Sequence, residues 1–544
     1  MPLSRREFLI DSLASGAFLP GISARKKPGN YPFQHGVASG DPLQNAVIIW
    51  TRITPQNNSE YSAYRWRVAL DPAMANVVAE EYGVTGPECD HTIKIDVTEL
   101  APATTYYYAF ETRGHWSDVG KMRTLPEGHV EHLRIAYTSC SNYAAGYFNV
   151  YREIAARSDL DLVLHLGDYI YEYASIEESL ATGRVHCPLK ETVSLDDYRA
   201  RHACYKLDKD LQAAHRQHSF VVIWDDHEVA NNAWSGGSVN HSNENQGRWG
   251  ERLSAAVKAY YEWMPVREIE HTGRMALYRG YRFGDLLDLS VLDTRLAGRD
   301  GPTDDLLETE NSDRTLLGFE QEAWLDTRLA AAQQEGVTWK LFGQQVMVSQ
   351  FGLNEQPFNY DQWDGYPAAR NRLFDSVRRH SVDNWVVLTG DIHSSWAMTI
   401  HDDPFSDLST PLGVEFVTPA VTSPGITSKP AAQLAGASLE SLLPHLNFVD
   451  FYHRGFVLLD ITHEQLQAEW WVVDRVDTPR YRCECMKALK VPVGKAELIP
   501  SQPVMPESTP LSMKTFDSEL AYLREWEPAP QALSDGMLAA SAPQ

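Results

Sequence analysis

Between residues 132 and 475 the chain alternates two hydrophobic periods. Continuous apolar runs, LRIAYTSC, LDLVLHLGD, SFVVIWDDHE, LLDLSVLDTR and NWVVLTGDIH, have the length and β-branched content of strands buried on both faces. Between them, GYFNVYREIAARS, RLSAAVKAYYEWM, FEQEAWLDTRLAAAQQ and ARNRLFDSVRRHS place apolar residues three and four apart, the mark of amphipathic helices. LRIAYTS, the first of these helices and LDLVLHLG form a βαβ unit with an expected right-handed crossover. The fold class read from this rhythm is α/β, a layered core over 132–475. Upstream, over 32–125, the period falls to two. NAVIIWTRI, AYRWRVAL, NVVAEEYGV, TIKIDVT and TTYYYAFETR predict a β-sandwich of the immunoglobulin or fibronectin class. Residues 476–544 read as a Pro-rich tail with one amphipathic helix, TFDSELAYLREW, expected to cover the active edge as a lid.

Composition narrows the partners. The 544 residues carry a formal net charge of -25, which repels nucleic acid and argues against a basic membrane patch. After the N-terminus no stretch reaches the roughly 20 apolar residues of a membrane span. The first residues, SRREFLIDSLASGAFLPGISA, put Arg5 and Arg6 before a modestly apolar segment ending in small residues. This resembles a twin-arginine export signal over 1–24, which predicts a periplasmic or secreted protein handled by the twin-arginine machinery. Six cysteines in a chain of this size are not a disulfide scaffold, although Cys187 and Cys204 remain free to pair in an oxidising compartment.

The predicted strands share one property: each runs into a residue able to hold a metal or a phosphate. In open α/β sheets ligands sit beyond the carboxyl ends of the strands, so these residues are expected to meet at one edge. Cys140 offers a soft thiolate, Asp168 a carboxylate that can bridge two cations, and Tyr171 a phenolate for a hard trivalent ion. Asp226 and His227, in DDHEVANN, offer a ligand and a proton donor, with Glu228 expected to orient the imidazole through its other nitrogen. Asp391 and His393, alternating along an extended segment, should point to one side. Arg295, after the strand ending at Asp293, is expected either to neutralise phosphate or to form a core ion pair. Each string alone is weak; a helix N-cap at Asp225 and Asp226, for instance, is an ordinary alternative.

Taken in order, HGVASGDP with VIIWTR, TSCSNYAAGYFNVY, HLGDYIYEY, WDDHEVANN, VLDTR, FGQQV and LTGDIHSSWA resemble the PhoD family of alkaline phosphatases and phosphodiesterases, over about 32–475. The resemblance implies a metallophosphoesterase-like core of the calcineurin kind behind a fibronectin type III-like β-sandwich. It implies a ferric ion with calcium ions: Cys140, Asp168 and Tyr171 on iron, Asp168 bridging to calcium, and Asp226, Asp391 and His393 completing the metal shell. Hydrolysis of phosphate esters would follow, with metal-activated water attacking in line. His227 would protonate the leaving alcohol, and Arg295 would neutralise phosphate oxygens.

Three other readings stay open at this point. A phospholipase D-like phosphodiesterase would use the same centre on lipid or polymer diesters. A thiol hydrolase would make Cys140 the nucleophile with His227 as base, but leaves Tyr171 and Asp391 without a task. A calcium-dependent adhesin built on the β-sandwich leaves the strand-end residues of the other domain unexplained.

Overall fold

A computed structural model describes residues 31–268, 276–353 and 356–504. The expected export signal and the expected lid helix lie outside these residues. Two large sheets dominate. The first has ten strands, and its centre is formed by three parallel strands, His132–Thr138, Leu162–His165 and Ser219–Val222. The second has seven, and at its centre Leu287–Val291, Trp339–Gln344, Trp385–Thr389 and Gly413–Val417 run parallel. The five apolar runs therefore all form strands, but they do not belong to one sheet. Three lie in the first sheet and two in the second. Periodicity identifies a buried strand; it carries no information on which layer the strand joins.

Alternation explains why both sheets are covered twice. In strand Trp385–Thr389, Trp385 and Val387 join a core shared with Leu325, Leu329, Leu373 and Phe374 of helices Phe319–Gln334 and Pro367–Arg379. Val386 and Leu388 point the other way and join the core that contains Ile135, Val163, Val221 and Leu458 of the first sheet. A residue every second position serves each face. The result is a layer order of helices, sheet, sheet, helices, with Asn149–Ala156 and Lys209–Gln217 on the outside of the first sheet. Among the described residues no helix is long and apolar enough to cross a membrane.

The N-terminal strands form as the period-two pattern predicts, yet the module is not separate from the core. Strands Ser62–Ala69, Val77–Thr85, Thr105–Thr112, His115–Trp116 and Gly120–Arg123 make a five-stranded sheet of their own. Val37–Gly40, Val47–Arg52 and Thr92–Val97 instead extend the ten-stranded sheet, with Gly40 in register opposite Phe220. Residues of both layers, including Val37, Ile49, Trp66, Val68, Tyr108 and Phe110, share one buried core. The join depends on a missing side chain. A Cβ at Gly40 would stand 2.3 Å from the Pro265 carbonyl oxygen and 2.7 Å from that of Phe220. Gly40→Ala is expected to cost about 1–3 kcal/mol through overpacking, read as a lower denaturation midpoint at unchanged slope.

The C-terminal boundary at 475 needs a similar correction. Cys483–Pro492 pairs antiparallel with Gln465–Val473, and Ile499–Pro500 adds the last strand of the first sheet. CECMKALKVP is an edge-side strand carrying lysines and a terminal proline, features that blunt a sheet edge and that also hide it from a search for apolar runs.

Candidate metal centre

The carboxyl ends of the parallel strands in both sheets face a common rim, and the residues found there were nearly all named by their strand-end position. Three groups of side chains come together. A donor atom from each of Cys140, Asp168 and His393 lies within 4.8 Å of the others; the same holds for Asp168, Asp226 and His227, and for Asp225, Asp226 and Asp391. Asp168 belongs to the first two groups and Asp226 to the last two. Shared carboxylates thus link three ligand sets into one chain.

The backbone is bent to deliver them. Cys140, Asp168, Asp391 and His393 all have positive φ, at 62°, 55°, 61° and 57°. L-residues visit this region at a cost and persist there only where the surroundings fix them. The expectation that Asp391 and His393 alternate along an extended segment is therefore wrong in mechanism. Two left-handed turns, and no strand, aim Asp391 at Asp226 and His393 at Tyr171. Gly167, at φ +102°, makes the tightest approach: a Cβ there would lie 2.4 Å from that of Asp225. Glu228 ties these turns together by accepting the backbone N–H groups of Asp168 (3.0 Å), Tyr169 (2.6 Å) and Asp225 (2.8 Å).

Around the thiol, Tyr171 donates its hydroxyl to Asp168 Oδ2 at 2.7 Å and lies 3.0 Å from His393 Nε2. His393 Nδ1 is 2.9 Å from the Pro424 carbonyl, an acceptor suited to a hydrogen bond from that nitrogen, which leaves Nε2 facing inward. The Ser423 hydroxyl sits 2.7 Å from the Tyr171 oxygen and 2.8 Å from the Cys140 carbonyl. Cys140 is wholly buried, and burial followed by the charge of Asp168 pushes its thiol well above the ordinary cysteine value. The same two causes, in the same order, raise the Tyr171 hydroxyl. Both shifts favour the neutral thiol and phenol. That weakens the thiol-hydrolase reading, which needs a thiolate ready for attack; moreover, the histidine grouped with Cys140 is His393, not His227.

His227 has a different orienting partner from the one expected. Its Nδ1 lies 2.6 Å from Glu172 Oε2, whereas Glu228 is spent on backbone amides. Tyr171 stacks on the imidazole at 4.2 Å between centroids, and Tyr173 meets it edge-on at 5.1 Å. Burial works against the charged ring, but Glu172, Asp226 and Asp168 outweigh it and hold the His227 pKa well above the usual value. The signal for Glu172 was present in GDYIYEY, one residue after Tyr171, but a lone Glu beyond a turn carries no positional cue.

For Arg295 the geometry favours the second of its two expected roles, the core ion pair. It is completely buried, with Nε 2.5 Å from Asp225, Nη1 2.8 Å from Asp361, and Nη2 2.8 Å from Asp391 and 3.9 Å from Asp226. Every guanidinium nitrogen is committed to a carboxylate, so the side chain spaces and neutralises the acidic wall and presents no face to a phosphate. Asp361 was missed because FNYDQWDG is a loop with no strand or helix pattern; Gln362, its neighbour, also donates to Asp391 at 2.7 Å. Removing a buried charge's partner leaves it uncompensated, so Arg295→Met is expected to cost about 3–5 kcal/mol, measurable by chemical denaturation.

Even with Arg295 in place, negative charge is in excess. Asp225 is held well above the carboxylate range, by burial first, with Asp226, Asp391 and Asp168 adding to it against Arg295. Asp391 is raised to about 6 and Glu228 to about 8, burial again being the largest cause. Asp225 Oδ2 is buried and has no hydrogen-bond partner. A buried carboxylate oxygen without a partner is costly, and cations would relieve it. The donor set fits them: sulfur, phenol, imidazole and carboxylate around Asp168 suit a trivalent transition ion, and the all-oxygen set of Asp225, Asp226 and Asp391 suits a hard divalent one.

Comparison with known proteins identifies the family. A family model described as PhoD-like phosphatase matches residues 135–470, and one for the PhoD-like phosphatase N-terminal domain matches 20–126. The chain is 37% identical over 483 residues to alkaline phosphatase D of Bacillus subtilis (strain 168), covering 85% of this chain and 81% of that protein. The solved structure of PhoD aligns with a TM-score of 0.80 at 34% identity, over 89% of this chain and 94% of that one. The chain belongs to the PhoD-like phosphatase family, a family of phosphoric ester hydrolases.

Proposed function

We propose that this protein is an exported, metal-dependent phosphatase that hydrolyses phosphate monoesters and, more slowly, diesters. The observation that carries the reading is the chain of three ligand groups joined through Asp168 and Asp226. Cys140, Asp168, Tyr171 and His393 would hold a ferric ion, and Asp168, Asp225, Asp226 and Asp391 would hold calcium. When bound, these cations supply activation of water and neutralisation of phosphate oxygens. The chain's own residues do the rest. Arg295 keeps the acidic side chains apart in the spacing the cations need. Glu172 fixes the imidazole of His227, whose pKa the surrounding carboxylates raise, and which is placed to give a proton to the departing alcohol oxygen. The N-terminal two-sheet module is read as a fibronectin type III-like β-sandwich that braces the first sheet, and Arg5 and Arg6 as part of a twin-arginine export signal.

The test is direct. The purified enzyme is expected to lose activity on p-nitrophenyl phosphate with a chelator and to regain it with iron and calcium. It is expected to resist iodoacetamide, because the Cys140 sulfur is buried and would be metal-bound. Faster turnover of bis-p-nitrophenyl phosphate than of the monoester would move the assignment to a phosphodiesterase of the phospholipase D kind. Iodoacetamide inactivation without metal loss would overturn it.

A further inference from the structure

A second cluster of ligand-type side chains lies at the opposite rim, where the parallel strands begin. His129 comes from the link between the N-terminal module and strand His132–Thr138. Asp285 comes from the turn between strands Arg279–Phe283 and Leu287–Val291 of the second sheet. His463 comes from the turn between Arg454–Thr462 and Gln465–Val473 of the first. One donor atom from each lies within 4.8 Å of the other two. His129 Nδ1 is 2.8 Å from Asp285 Oδ2, and His463 Nε2 is 3.5 Å from Oδ1, so each carboxylate oxygen is turned toward one imidazole. We propose that His129, Asp285 and His463 form a second metal site, for a borderline divalent cation of the zinc class, which clamps the two core sheets to the interdomain link.

Several observations favour a built site over a chance meeting. His463 Nε2 has no hydrogen-bond partner although it is buried from solvent. The other nitrogen of the same ring, Nδ1, is 2.6 Å from the Thr338 hydroxyl. A histidine fixed through one nitrogen, with the other making no hydrogen bond and turned toward the neighbouring ligands, is the usual arrangement of a metal ligand. Asp285 is fixed as well: its backbone N–H donates to the Gly128 carbonyl at 2.9 Å, and its Oδ1 accepts from the Val130 N–H at 3.0 Å. The turn and the link are thereby locked in the relation the site needs. The rings of His129 and His463 lie parallel, 5.0 Å apart. Two imidazoles and one carboxylate suit zinc, nickel, cobalt or copper, whereas calcium and magnesium prefer oxygen throughout. Side-chain exposures of 65% for His129 and 44% for Asp285 leave room for water to complete the coordination.

The experiment is a zinc titration by calorimetry of the holoenzyme, with iron and excess calcium occupying the catalytic centre. Wild type is expected to bind one more Zn2+ per chain than His129→Gln, His463→Gln or Asp285→Asn, and to gain a rise in melting temperature that these variants lack. Zn2+ taken up by the catalytic centre would appear equally in all four proteins and cancel in the difference. Thr338→Val is expected to weaken the extra site by about 10–100-fold without removing it. Turnover of p-nitrophenyl phosphate by the variants should match wild type, which separates this rim from the catalytic one. Equal stoichiometry and affinity in wild type and His129→Gln, whose side chain is the most exposed of the three, would overturn the proposal.

Discussion

Asp168→Ala is expected to reduce turnover of p-nitrophenyl phosphate by about a thousandfold or more, the upper end of what losing one charge-stabilising group costs, and to lower the content of more than one cation. The reasoning rests on connectivity. Asp168 is the only residue belonging both to the Cys140–His393 group and to the Asp226–His227 group among the described residues. Its carboxylate also accepts the Tyr171 hydroxyl at 2.7 Å, so its loss frees the phenol as well. Cys140→Ala is the informative contrast. Cys140 belongs to one group only, so that variant should lose iron and keep calcium. Metal analysis beside kinetics reads both outcomes. If Asp168→Ala retained its full complement of metals, the shared-ligand account would fail even though activity fell.

How much of this was legible before the structure depends on what kind of signal each residue leaves. The strands announced themselves because a strand buried on both faces is mostly apolar, and the polar residues just after it mark the rim. That logic picked out Cys140, Asp168, Asp226, Asp391 and His393, whose donor atoms gather in the three linked groups. It could not assign the strands to two sheets, because strand 385–389 and strand 162–165 are both short apolar runs ending in one polar residue, and they differ only in their neighbours. It also failed wherever function depends on what a side chain touches. Arg295 and Asp361 neutralise one another across loops with no periodicity, so an arginine after a strand could be read equally as a phosphate ligand or as a core ion-pair partner. The imidazole partner expected at Glu228 proves to be Glu172 for the same reason: both are acidic residues a few positions past a strand, and only coordinates tell which reaches an imidazole and which reaches three amides. The domain boundaries slipped where pairing crosses them. Gly40 and Cys483 sit in stretches that read as a separate module and as a tail, yet both belong to the ten-stranded sheet.

His227→Gln should expose its role through the leaving group. A proton delivered in the transition state is worth about 10²–10⁴ in rate, but only when the departing oxygen needs it. An alkoxide from a simple alkyl phosphate does; p-nitrophenolate, already stable as an anion, does not. The variant is therefore expected to lose two to four orders of magnitude on alkyl phosphates and far less on p-nitrophenyl phosphate, so that the dependence of rate on leaving-group pKa becomes steeper. Glu172→Gln should shift the same dependence in the same direction by a smaller amount. Glu172 reaches the reaction through the ring, by its 2.6 Å contact and by the charge that raises the imidazole pKa, while its other oxygen accepts the Asn231 N–H at 2.7 Å. Both variants should retain their iron. A loss of equal size across all leaving groups, accompanied by loss of a cation, would instead make His227 a metal ligand, since one of its nitrogens already lies within 4.8 Å of the Asp168 and Asp226 carboxylates. The two roles make opposite demands on the ring, because a ligand must give up the proton that an acid must keep, and the leaving-group series reads that difference without reference to the metal.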